Sequence, residues 1–84
     1  MKYRIALRQS AEKEFKRLGH VEQKRIGAKL VALEENPLPP GAIALQGRPG
    51  FRIRIGDYRV LYEVDHEKRL VSVFAIGHRR DVYR

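Results

Sequence analysis

The chain has 84 residues, with 18 lysines and arginines against 10 aspartates and glutamates, for a net charge of +8. That length accommodates a single domain over residues 1–84. The absence of cysteine excludes disulfides and thiolate metal sites, and the apolar runs are too short to cross a bilayer. So basic a balance points to an anionic partner. After Gly47 the cations are eight arginines and one lysine, Lys68. That bias suits phosphate or carboxylate gripped by planar guanidinium forks.

The N-terminus, "MKYRIALRQS", alternates charged and apolar residues, unlike a signal peptide, so a cytoplasmic protein is expected. Tyr3, Ile5 and Leu7 fall on one face, which predicts a strand over residues 2–8. Ser10 is placed to cap a first helix, with Glu12 in its first turn and Ala11, Phe15 and Leu18 as its apolar stripe. Gly19 ends it, and His20 is assigned to the turn. A second helix is expected from about Val21 to Glu35, with Ile26, Leu30 and Leu33 facing the core, and Asn36-Pro37 stops it. All four prolines then lie between residues 36 and 50, marking a connection with Leu45 as its anchor into the core. Three strands follow, at 51–55, 58–64 and about 70–76. The order predicts an α+β domain: an N-terminal strand, a helical hairpin, then a three-stranded antiparallel meander, with helices packed on one sheet face.

The stretch "FRIRIGDYRVLYEV" contains its own register. Gly56-Asp57 suits a two-residue hairpin turn, pairing Ile55 with Tyr58, Arg54 with Arg59 and Ile53 with Val60. Phe51, Ile53, Ile55, Tyr58, Val60 and Tyr62 then share the core face, while Arg52, Arg54, Arg59, Leu61 and Glu63 share the other. Opposed like charges destabilise a ladder by up to roughly 1 kcal/mol. Arg54 facing Arg59 therefore means either a solvated face or an anion bound between them.

On the last strand the bulkier residues, Leu70, Phe74 and Ile76, are assigned to the core. Ala75, Gly77 and Arg79 then lie opposite, in parity with Arg54 and Arg59, with Val71 and Val73. This assignment requires a connecting loop of odd length near residues 65–69. It brings Arg52, Arg54, Arg59 and Arg79 onto one shallow surface.

The ordered set Leu45-x-Gly47, Tyr58-Arg59-Val60-x-Tyr62 and Gly77-His78-Arg79 ending in Val82-Tyr83 resembles the RelE/ParE superfamily of toxins, on the RelE side, over nearly the whole chain. The resemblance implies a type II toxin-antitoxin toxin that cuts mRNA in the ribosomal A site, using the RNA 2′-OH and no metal or other cofactor. By that resemblance Arg59, Arg79 and Tyr83 match catalytic positions, and Arg52 and Arg54 match a pair of basic residues that are lysines in the relatives. Arginine does not give up its proton, so His78 is the remaining candidate base by intrinsic pKa. A structural hydrogen bond is its competing role, and strand parity turns it away from the arginine face. Arg48, Arg80 and Arg84 are assigned to RNA binding. His66 is read as a solvated loop residue, and the three histidines have no metal-ligand spacing.

The implied partners are a cognate acidic, RelB-like antitoxin, the ribosome and mRNA, with no membrane. Two other readings stay open: a ParE-like DNA gyrase inhibitor without nuclease activity, and a non-toxic relative that binds RNA or antitoxin.

Overall fold

The computed structural model describes residues 2–82. In chain order it contains β1 (Arg4–Leu7), α1 (Gln9–Arg17), α2 (His20–Glu35), β2 (Ile43–Ala44), β3 (Phe51–Ile55), β4 (Tyr58–Asp65) and β5 (Leu70–His78). The strands form one sheet in the order β1-β5-β4-β3-β2. β1 runs parallel to β5, and every other pair is antiparallel. Both helices lie on one face. Ala11, Ile26, Leu30 and Leu33 meet Tyr3, Ile53, Ile55, Val60, Tyr62, Val71, Val73 and Ile76 in a single core. The α+β architecture is the expected one. β2 is an addition: two exposed residues carry no alternation to announce them.

The helices depart in detail from expectation. Ser10 lies inside α1, and the cap position falls to Arg8, which makes no side-chain cap bond. The Ser10 hydroxyl instead donates across to the Phe74 carbonyl at 3.1 Å. His20 is the first residue of α2 and not part of the turn, because Gly19 takes the extended N-cap conformation. The exit from α2 is pinned by Tyr62, whose hydroxyl donates to the Pro37 carbonyl at 2.7 Å. Tyr62 is fully buried, and that desolvation raises its pKa to about 12.

The β3–β4 hairpin has the predicted register throughout, from Phe51 opposite Tyr62 to Ile55 opposite Tyr58. Gly56 takes φ +60°, while Asp57 stays out of the positive-φ region, the arrangement of a type II′ turn.

The β4–β5 connection is where the reading needs correction. Asp65 pairs with Leu70, so the loop spans the four residues 66–69 and is even, not odd. Val71 and Val73 therefore share the helix side with Val64 and Tyr62, and both are completely buried. Leu70 pairs across from Asp65 on the opposite parity and is only half-buried. The register then slips: Tyr62 opposes Val73 but Leu61 opposes Ala75, which leaves Phe74 as an extra residue in a β-bulge. The bulge restores the parity that the even loop had reversed. Ile76 returns to the core beside Val60, and Ala75 and Gly77 lie opposite Leu61 and Arg59 on the open face.

Two loop assignments also change. His66 is exposed, yet its Nδ1 hydrogen-bonds the Tyr3 hydroxyl at 2.7 Å. Leu45 stands apart from the helix-side core; it is half-buried on the open face, held by a hydrogen bond from its N–H to the Gly50 carbonyl. Among the described residues no helix is long and apolar enough to cross a membrane.

Candidate active site: an arginine cleft

The sheet face away from the helices is walled by the connection before β3 and by the turn after β5. On the first side, Gly50 makes the wall possible. At φ +123°, it brings the backbone so close that an added Cβ would stand 2.8 Å from the Tyr62 carbonyl oxygen. On the second side, the chain folds back over Gly77. The Asp81 and Val82 N–H groups bond the His78 carbonyl, and the Arg79 N–H reaches the Asp57 carbonyl at 2.8 Å. A methyl at Gly77 would stand 3.4 Å from the Val82 Cβ.

Between these walls lies an open cleft of about 690 Å³. Arg48, Arg52, Arg59 and Arg79 line it, with Leu45, Gln46, Leu61, Val82 and both residues of β2 completing its walls. Arg59 forms the floor. It is the one charged residue buried among the described residues, at 8 % exposure, and its guanidinium donates to the Tyr58 carbonyl at 3.2 Å. None of the lining residues is acidic. Four ion pairs, Lys2–Glu35, Arg8–Glu63, Glu12–Lys16 and Glu14–Arg17, lie away from this lining. A buried cation without a carboxylate beside it is costly unless an anion or water completes it. The arrangement suits an anion with several oxygens.

The family model described as ParE toxin of type II toxin-antitoxin system matches residues 5–83. The chain belongs to the RelE/ParE toxin superfamily. It is 33% identical to the mRNA interferase toxin RelE of Escherichia coli strain K12, over 94% of this chain and 85% of the relative. Its fold superposes on the toxin in the RelE–RelB complex of Pyrococcus horikoshii with a TM-score of 0.84 at 26% identity, covering 98% of this chain and all of that one. The intact Escherichia coli RelBE toxin-antitoxin complex gives a TM-score of 0.80 at 28% identity, covering 93% and 96%.

Within this RelE-like fold the nominated residues divide. Arg52, Arg59 and Arg79 meet in the cleft as expected, and Arg48 joins them from the connection. Arg54 does not. It is paired with Arg59 across the ladder but stays exposed, bordering a separate cavity with Lys29, Leu33, Pro39 and Pro40. β2 covers only Phe51 and Arg52, so nothing turns Arg54 inward, and repulsion from Arg59 favours its exposure.

His78 lies outside the cleft, as parity requires. It packs edge-on against Tyr58 at 5.8 Å, its Nδ1 accepts the Arg80 N–H at 3.3 Å, and it borders a second cavity with Ser10, Glu14 and Asp81. Arg80 is exposed and absent from the cleft lining. Tyr83 and Arg84 lie outside the described residues. Leu61 lies on the cleft face where the hairpin parity put it. The sequence reading missed Val82 and β2 as cleft walls; the Leu45-x-Gly47 motif was the available signal on the first side. Among the described residues no group of three His, Asp or Glu side chains gathers as metal ligands would.

Proposed function

We propose that this toxin is a ribosome-dependent endoribonuclease that cuts mRNA in the A site. The observation that carries the reading is the buried Arg59, flanked by Arg52 and Arg79 in a cleft without a carboxylate. In the reaction the RNA 2′-oxygen bonds the adjacent phosphorus, and the bond from phosphorus to the 5′-oxygen breaks. The products are a 2′,3′-cyclic phosphate and a 5′-hydroxyl, so the 2′-OH proton ends on the 5′-oxygen. Negative charge builds on the phosphoryl oxygens and the leaving oxygen, and preorganised cations lower its cost. Arg59 and Arg79 take that role, Arg52 holds the backbone, and Tyr83 stacks on a base. The names of the relatives support the activity class, and the guanidinium cluster supports the chemistry. His78 acts structurally, supporting the turn that carries Arg79.

In-vitro translation followed by primer extension is the direct test. Wild-type toxin is expected to produce cuts at A-site codons, and Arg59→Ala or Arg79→Ala each to reduce the rate by about 10²–10³-fold, as for loss of one transition-state donor. The ParE description of the matching family model favours one second reading, gyrase inhibition without nuclease activity. Intact mRNA together with stalled DNA replication would establish that reading and sink the first.

We further propose an acidic antitoxin as partner, on the strength of the toxin-antitoxin complexes among the structural relatives and the four arginines that line the cleft.

A further inference from the structure

The bulge residue Phe74 has a role that packing alone does not explain. Its ring stands on the open face, where Gly50 approaches it closely enough that an added Cβ would lie 3.4 Å from the ring. Two guanidinium groups sit over this one ring, Arg48 at 4.3 Å from the centroid and Arg8 at 5.6 Å. They are not equivalent. Arg8 is paired with Glu63 at 3.7 Å, whereas Arg48 lines the arginine cleft, which contains no acidic residue.

A guanidinium that covers an aromatic ring spends its face on the ring and keeps its in-plane N–H groups for other partners. Those N–H groups match two phosphate oxygens in a fork. Arg48 is otherwise an exposed side chain on a Gly- and Pro-rich connection, so fixing it in advance removes an entropy cost from binding. The bulge supplies the fixing. It turns Phe74 toward the cleft side, and Ser10 Oγ satisfies the carbonyl of the bulged residue.

We propose that Phe74 is a positioning residue for RNA: its ring holds Arg48 so that the guanidinium clamps a backbone phosphate other than the scissile one. This inference rests on the RNA-cleaving reading of the cleft. Arg59 and Arg79 serve the reacting phosphate, and the Phe74–Arg48 stack serves binding, on the opposite wall of the same cleft.

The test is steady-state cleavage by the full chain on programmed ribosomes with an empty A site, comparing wild type with Arg48→Ala, Arg48→Lys, Phe74→Leu and Phe74→Tyr. Arg48→Ala is expected to raise KM about tenfold with kcat unchanged, the loss of one charge-assisted contact. Arg48→Lys retains the charge without the planar fork, so it should lie near Arg48→Ala. Phe74→Leu should match them, and adding Arg48→Ala to it should cost nothing further, while Phe74→Tyr retains the ring and restores wild-type KM. The Arg48 substitutions are on an exposed residue, so they test the clamp even if Phe74→Leu fails to fold. Wild-type KM in both Arg48→Ala and Arg48→Lys, with cleavage intact, overturns the clamp and leaves the nuclease reading standing. A wild-type chain that cuts no mRNA on the ribosome overturns both.

Discussion

Single residues in this toxin are set by whether a polar atom finds a partner once buried. Tyr62 is the clearest case, with a completely buried ring and a hydroxyl on the Pro37 carbonyl. Tyr62→Phe should cost about 1 kcal/mol or more, because the Pro37 carbonyl loses its donor. The raised pKa adds a pH signature. The folded state favours the neutral phenol, so this stabilisation is complete below the ordinary tyrosine pKa of 10 and is lost as pH rises toward about 12. Denaturant unfolding from pH 9 to 12 should show a steeper loss in wild type than in Tyr62→Phe; equal slopes would mean the phenol is not desolvated. Arg59 obeys the same rule with the opposite outcome, since among the described residues no carboxylate lines the cleft around its charge. Its register opposite Arg54 was legible from the Gly56-Asp57 turn alone. That only Arg59 would be buried was not, because both arginines have the same parity along the hairpin.

Elements are decided by how backbone groups are satisfied where regularity breaks. β5 carries the bulge that returns Ala75, Gly77 and Arg79 to the open face, and α1 braces it through Ser10. Ser10→Ala should therefore destabilise the fold by about 1 kcal/mol although the residue is exposed, which thermal unfolding can measure. A helix-surface serine without this bond would show almost no change. Gly50→Ala should cost more, at least about 1–2 kcal/mol, since it combines a positive φ with a 2.8 Å approach to the Tyr62 carbonyl. An Ala variant as stable as wild type would mean that the connection before β3 shifts freely.

For the whole molecule the governing facts are small size and a one-sided charge. A domain of 84 residues with net charge +8 gains stability from any ligand that binds only the folded state and neutralises it. The purified toxin–antitoxin complex should melt well above the toxin alone. A partner present at 100 times its Kd contributes roughly 2.7 kcal/mol by mass action. Equal melting temperatures would rule out tight neutralisation.

Local chemistry settled much of this toxin in advance. Apolar alternation, turn residues and helix stops specified β1, the two helices, the β3–β4 hairpin and the pairing of Arg54 with Arg59, because each depends on neighbours a few residues apart. The helix-facing side of β5, the two-residue β2, and the choice of Arg48 over Arg54 for the cleft were decided only by tertiary structure. The loop of residues 66–69 and the bulge at Phe74 each reverse strand parity, and two reversals cancel at Arg79 while exchanging the faces of Leu70 and Val71 between them. The position of Arg79 was therefore right, but the route proposed for it was not. A bulge arises where β5 must satisfy β4, α1 and the core at once, and no short window of sequence contains those partners.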